Sequence, residues 1–200
     1  MSHYFENDET LESSPRNVYY VFNNVNFSLE SDAGVFSKNK LDKGSELLIE
    51  MLLPLDLGSN LLDLGCGIGP IGLTLAYFHP GLNVTCSDVN MRALGLCERN
   101  ASSLRLGQRV TVLHSDIYTE IEGKFDSIVS NPPIRAGKKV TYEIYRGALT
   151  HLVDGGSLYV VIRKQQGAMS VKTYLEELFG NVAVLAREKG YYILKASKVN

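Results

Sequence analysis

Hydrophobic positions along the chain recur at two spacings, and the switches between them predict the elements. After a polar stretch over residues 1–17, Val18-Tyr-Tyr-Val-Phe and Val25-Asn-Phe-Ser-Leu read as short strands around Asn23-Asn24, a dipeptide suited to a hairpin turn. Gly34-Val-Phe-Ser reads as a loop. Within 41–53, Leu47, Leu48, Met51 and Leu52 fall at helical spacing, and Pro54 ends that helix. From Asn60 onward strands and helices alternate. The strands fall at 61–64, 83–87, 110–114, 125–130 and 157–162, and the helices at 70–78, 91–102, about 140–149 and 169–178. Such alternation predicts an α/β protein with a mostly parallel sheet covered on both faces. The last two strands, 182–186 and 191–196, are joined through Lys189-Gly190, too short for a parallel crossover, so they are expected to pair antiparallel.

The chain's 200 residues, 44% of them hydrophobic, suit one domain with an ordinary core, taken here as 18–200 with the hairpin at about 18–30. Residues 1–17, with Glu6, Asp8, Glu9 and Glu12 before Pro15, read as a flexible acidic arm. No apolar run approaches the roughly 20 residues of a membrane span, and the N-terminus lacks a basic region followed by an apolar one. A cytoplasmic protein with no membrane partner is expected. Cys66, Cys86 and Cys97 show no Cys-x-x-Cys pair and no nearby histidine, so the expectation is no metal. The formal net charge of −2 hides an asymmetry. Residues 1–50 hold four Lys or Arg against nine Asp or Glu, whereas residues 51–200 hold sixteen against thirteen. A local basic surface is compatible with that distribution.

Candidate chemistry begins where Leu61-Leu-Asp-Leu runs into Gly65-Cys-Gly-Ile-Gly-Pro, an apolar strand entering a glycine-rich turn that opens a helix. Pro70 suits a first helical position, leaving the turn's N–H groups free for a ligand; a tight turn without a ligand is the plainer alternative. A dinucleotide fingerprint would place its third glycine at Pro70, but here it is Gly69, which argues against NAD or FAD. Asp63 sets a carboxylate where a ligand's ammonium could be held directly or through water. S-adenosylmethionine carries an ammonium and no phosphate. Asp88 ends the next strand 19 residues past Gly69, where it can accept from both ribose hydroxyls, with Asn90 left to cap the following helix. Asp116, just past the third strand, either accepts from an adenine amino group or stabilises a turn.

The fourth strand delivers Asn131-Pro132-Pro133-Ile134 at its carboxyl end, the edge where open α/β sheets bind ligands. The prolines fix the backbone and remove donors, so the Pro132 carbonyl and the Asn131 amide can both accept from one planar NH2. An exocyclic amine is a poor nucleophile because its lone pair is delocalised into the ring. Two such acceptors orient it and stabilise charge developing on nitrogen, with no strong base required. A proline turn that merely closes a strand is the alternative. Arg135, Lys138, Lys139 and Arg146, with Arg163-Lys164 on the next strand, form a candidate phosphate-contacting rim. None of the four histidines is given a role.

The order Asp63-Leu-Gly-Cys-Gly-Ile-Gly, Ser87-Asp-Val-Asn and Asn131-Pro-Pro-Ile resembles class I methyltransferases acting on amino groups of nucleobases or glutamine. Adenine-N6 and glutamine-N5 enzymes usually carry Tyr or Phe where this chain has Ile134, a departure that counts against those substrates. Gly34-Val-Phe-Ser, Leu41-Asp-Lys-Gly, Asp88-Val-Asn-Met-Arg-Ala-Leu, Asn131-Pro-Pro-Ile-Arg-Ala-Gly-Lys, Ile162-Arg-Lys-Gln-Gln-Gly-Ala and Lys189-Gly-Tyr extend the likeness. Together they resemble the small-subunit ribosomal RNA guanine-N2 methyltransferases called RsmC, in a short single-domain form, over nearly everything after residue 18.

That resemblance implies a Rossmann-like class I methyltransferase fold with a seven-stranded sheet and an antiparallel last strand. It implies S-adenosylmethionine as cofactor, held by Asp63, Gly65, Cys66, Gly67, Gly69, Asp88, Val89, Asp116, Ile117 and Asn131. Asn131, Pro132 and Pro133 would be catalytic, with Phe36, Ile134, Arg135 and Lys138 toward the substrate, which would be ribosomal RNA or the small subunit. The base would leave its stack to reach the strand ends. Methylation of a protein glutamine, another nucleobase amine or a small-molecule amine is the alternative. A binding module without chemistry is disfavoured because all three motifs are intact. Full-length family members carry an extra N-terminal domain of similar fold, in whose place this chain has the acidic arm and hairpin.

Overall fold

In the computed structural model, which describes residues 12–35, 40–132 and 137–199, Asn23 and Asn24 both adopt positive φ, 47° and 62°. That pair closes the two-residue turn between β1 (Arg16–Phe22) and β2 (Val25–Ser31), whose right-handed twist it matches. The strand begins two residues inside the segment expected to be an arm, and residues 1–11 lie outside the described ones. Helix α1 (Lys43–Leu52) starts where the Asp42 carboxylate accepts from the Gly44 and Ser45 N–H groups, at 3.0 and 3.1 Å.

The alternation then follows the predicted order. It runs β3 (Asn60–Leu64), α2 (Pro70–Phe78), β4 (Asn83–Asp88), α3 (Met91–Ser103), β5 (Val110–His114), β6 (Phe125–Ser130), α4 (Gly137–His151), β7 (Leu152–Arg163), α5 (Ala168–Phe179), β8 (Ala183–Glu188) and β9 (Tyr191–Ser197). The seven-stranded sheet has the order β5-β4-β3-β6-β7-β9-β8, and β9 runs antiparallel to both neighbours. Two elements are longer than their apolar patterns. Strand β7 starts at Leu152, carrying Asp154-Gly-Gly through a register irregularity opposite Phe125 and Ser127, and α4 reaches back to Gly137. A single 3-10 turn, Lys164–Gln166, follows β7 and has no apolar period that would reveal it.

Helix α2 is buried from Pro70 through Ala76, as expected for a helix apolar on every side. One face meets the sheet, and the hairpin covers another. Phe27 stacks on Tyr20 with centroids 5.0 Å apart and meets Tyr77 edge-on at 5.3 Å, while the Tyr20 hydroxyl pairs with Thr74 Oγ1 at 2.9 Å. Among the described residues, no helix is long and apolar enough to cross a membrane.

Asn100 of α3, 1% exposed, fastens this layer. Its Oδ1 accepts from Glu30 N at 2.7 Å, and its Nδ2 donates to Glu30 O and Ile68 O, both at 3.1 Å. One side chain thus joins hairpin, helix and glycine turn. Asn100→Ala strands one backbone N–H and two carbonyls and should lower unfolding free energy by about 3 kcal/mol in urea titrations; a loss below about 1 kcal/mol would show the clamp to be dispensable.

Candidate active site

The site is built from the carboxyl ends of neighbouring strands. Strands β3 and β6 pair in parallel with Asp63 opposite Val129, so Gly65 and Asn131 emerge at one height. The Ser130 hydroxyl donates to Leu64 O at 2.8 Å and holds the two strand ends together where they open.

All three glycines of the turn have positive φ, 75° at Gly65, 56° at Gly67 and 91° at Gly69, but for different ends. A Cβ at Gly65 or Gly67 would meet nothing within 4 Å, so these two face open space that a ligand can enter. A Cβ at Gly69 would lie 2.7 Å from Cys97 Sγ, and one at Gly72 would lie 2.9 Å from Asp63 Oδ2 and from Cys86 Sγ. Those two glycines are packing requirements. Gly65 N and Cys66 N donate to Ser87 O at 2.8 and 2.9 Å, which pins the turn to the end of β4.

Three carboxylates come from three successive strand ends. Asp63 is 1% exposed; its Oδ2 accepts from Gly72 N at 2.8 Å and its buried Oδ1 has no partner among the described residues. Burial pushes its carboxyl up to about 7, and the Gly72 N–H offsets only part of that. Asp88 is half-buried and accepts from Gly67 N at 2.8 Å and Asn90 N at 2.9 Å. Each of its oxygens keeps a lone pair, and burial holds this carboxyl above its ordinary value too. Asn90 caps α3 through Ala93 N at 3.1 Å, as expected. Asp116 is exposed, and its turn is made by its own carbonyl, which accepts from Thr119 N, and by the Ser115 hydroxyl. Its carboxylate therefore does not build the turn. Ile117 follows with φ 54°, a strained value for a β-branched residue.

Asn131 is half-buried and Pro132 buried at the end of β6. The Asn131 Nδ2 donates to Asp42 Oδ1 at 3.1 Å and to Ser45 Oγ at 3.0 Å, contacts that sequence spacing does not reveal. Beyond Pro132, on the β7 side, a cavity of about 90 Å³ lies between the starts of α4 and α5, with Tyr142, Val161 and Val171 as apolar wall and Lys138, Thr141 and Ser170 at its mouth. Lys138 lines it; Lys139 and Arg146 on α4 and Lys164 after β7 are exposed, and Arg163 Nε donates to the Tyr191 hydroxyl at 2.8 Å. Phe36, Pro133, Ile134 and Arg135 lie outside the described residues.

The cysteines, well separated in sequence, converge behind the glycine turn with their three sulfurs within 4.8 Å of one another, a convergence that their spacing in the sequence does not reveal. Burial pushes the Cys66 thiol well up, and Cys66 backs the turn from below as a packed side chain.

The sequence matches the family model described as the methyltransferase small domain over residues 26–195. It is 41% identical over 199 residues to YbxB of Bacillus subtilis, covering 98% of each chain. It is 37% identical over 164 residues to ribosomal RNA small subunit methyltransferase C of Mannheimia succiniciproducens, covering 80% of this chain and 47% of that one. In three dimensions it resembles the T. thermophilus 16S rRNA N2 G1207 methyltransferase RsmC, solved with AdoMet and guanosine, with TM-score 0.82 and 28% identity over 94% of this chain and 52% of that one. The chain thus spans about half the length of these methyltransferase C relatives.

The buried Asp63 carries a pH signature. Its carboxyl titrates near 7 in the folded protein and at its ordinary 3.8 when unfolded, so between those values the folded state holds an extra proton. Stability therefore declines as pH rises from about 4 to about 7 and levels beyond. Asp63→Asn should lack this component, so the variant's stability relative to wild type should rise by up to about 4 kcal/mol between pH 4 and 8 in urea melts. A constant offset across that range would mean that burial does not raise this carboxyl.

Proposed function

The chain belongs to the methyltransferase small-domain family, and from that membership we propose that it uses S-adenosylmethionine to methylate the N2 amine of a guanine in small-subunit ribosomal RNA. The observation carrying this reading is the shared height of Gly65 and Asn131 on paired strands, which sets a ligand cradle beside two acceptors for a planar amine.

The residues fit the cofactor. Gly65 and Gly67 leave open space beside the turn, and the unpartnered Asp63 Oδ1 is suited to accept from an ammonium directly or through one water. Asp88 has lone pairs left for the ribose hydroxyls, and Asp116 has a carboxylate for the adenine amino group, with Val89 and Ile117 half-buried on either side. Gly69 and Cys66 support the turn from within. When bound, S-adenosylmethionine supplies an electrophilic methyl group on a sulfonium.

The protein's own residues do the rest. The Asn131 Oδ1 and the Pro132 carbonyl accept from the two amine hydrogens, turn the nitrogen lone pair toward the donor side and stabilise the positive charge that grows on nitrogen. The proton then leaves to solvent, so no side chain needs to act as a strong base. The cavity beyond Pro132, lined by Lys138, receives the flipped base, and the exposed Lys139 and Arg146 of α4 and Lys164 after β7 are the cations available to the phosphates. The likeness to RsmC, solved with guanosine, favours guanine over the other amines.

Small subunits, free ribosomal RNA and protein from cells lacking this gene, incubated with radiolabelled S-adenosylmethionine, should yield label in N2-methylguanosine. Label only in protein or small molecules would overturn the acceptor. Asn131→Ala should keep cofactor affinity within about twofold by calorimetry and lower kcat at least about 30-fold, equivalent to about 2 kcal/mol of transition-state stabilisation. Thr141→Trp, which fills the cavity mouth, should raise KM for RNA at unchanged cofactor affinity; an unchanged KM would place the base elsewhere.

A further inference from the structure

Asn131 directly follows β6, but its side chain is held by the start of α1, 89 and 86 residues earlier in the chain. Its Nδ2 donates to Asp42 Oδ1 at 3.1 Å and to the Ser45 hydroxyl oxygen at 3.0 Å. A carboxylate has no hydrogen to give, so the amide must turn its nitrogen, and not its oxygen, toward Asp42. Both hydrogens on that nitrogen are then committed. Oδ1 remains as the one open hydrogen-bonding atom of the side chain and diverges from α1. With the amide reversed, its oxygen would face the Asp42 carboxylate, and its NH2 would present donors to an arriving NH2.

We propose that Asp42 and Ser45 are positioning residues that lock the Asn131 amide in the orientation able to accept from the acceptor amine, an assignment that rests on the methyl-transfer reading above. The lock is preorganised. Asp42 Oδ1 is fixed by the Gly44 and Ser45 N–H groups that it caps, and Ser45 is 3% exposed. Asp42 Oδ2 is shielded from water and has no partner among the described residues, so the carboxylate's charge is poorly screened behind the amide. That charge polarises the amide and strengthens Oδ1 as an acceptor while positive charge builds on the amine. The Leu41-Asp-Lys-Gly segment thereby gains a role in chemistry besides opening a helix.

The first readout needs no turnover. In 15N-labelled protein, the Asn131 side-chain NH2 signals, identified by their absence from Asn131→Ala, should be dispersed and slow to exchange. They should collapse toward free-amide positions in Asp42→Asn and Ser45→Ala, with most backbone signals unmoved. Asp42→Asn keeps an oxygen for the helix cap, and Ser45→Ala leaves the Asp42 cap itself in place, so at least one variant tests the lock even if the other folds poorly. In kinetics, Asp42→Asn should hold cofactor affinity within about twofold and lower kcat at least about tenfold, and adding it to Asn131→Ala should cost nothing more. Unmoved Asn131 signals in both variants, or an Asp42→Asn penalty that persists fully in the Asn131→Ala background, would overturn the lock. Failure of the function is separable: wild-type protein that shows the locked NH2 but methylates no RNA refutes the acceptor and leaves the lock standing.

Discussion

The parallel register between β3 and β6 is the constraint on which the site depends. Leu61, Leu62 and Asp63 face Ser127, Ile128 and Val129, and the Ser130 hydroxyl closes the pair on Leu64 O. A slip of one residue would send every side chain into the opposite layer of helices, and a slip of two would carry Asn131 about 7 Å from the glycine turn. The buried apolar residues of both strands forbid either slip. The spacing between the glycine turn and Asn131 is therefore set by the same packing that sets the core.

Around that register, duties are divided among residues of the same type. Gly65 and Gly67 leave room outward, while Gly69 and Gly72 leave room inward for Cys97, Asp63 and Cys86. Asp63 serves the turn from beneath, Asp88 ties the turn to the next strand through Gly67 N, and Asp116 keeps its carboxylate toward solvent. Because they leave β3, β4 and β5 in turn, the three carboxylates mark a line across half the sheet, ending at Asn131 just past β6.

Much of this was legible in the sequence because it is local. Strand-to-helix alternation, the Asn23-Asn24 turn, Pro70 at a first helical position and the glycine spacing all act over a few residues, and helix α2 and strands β5 and β6 lie where their apolar periods put them. What was not legible is long-range. Nothing in the spacing brings Asn131 to Asp42 and Ser45, Asn100 to Glu30 and Ile68, or three scattered cysteines to one another. Those contacts exist only after the sheet has ordered its strands. The glycines show the same limit, since four small residues look alike until the space around each is known.

The Asn100 clamp has a consequence for the order in which the protein is made. The hairpin leaves the ribosome well before α3, and an isolated two-stranded hairpin is only marginally stable in water. Its apolar face awaits Thr74, Tyr77 and Phe78, and the Glu30 backbone awaits a side chain 70 residues later. Throughout that interval of synthesis, two strand edges rich in aromatic residues have no partner, the state in which nascent chains pair wrongly. Completion of α3 is thus the moment at which the hairpin is withdrawn from such encounters.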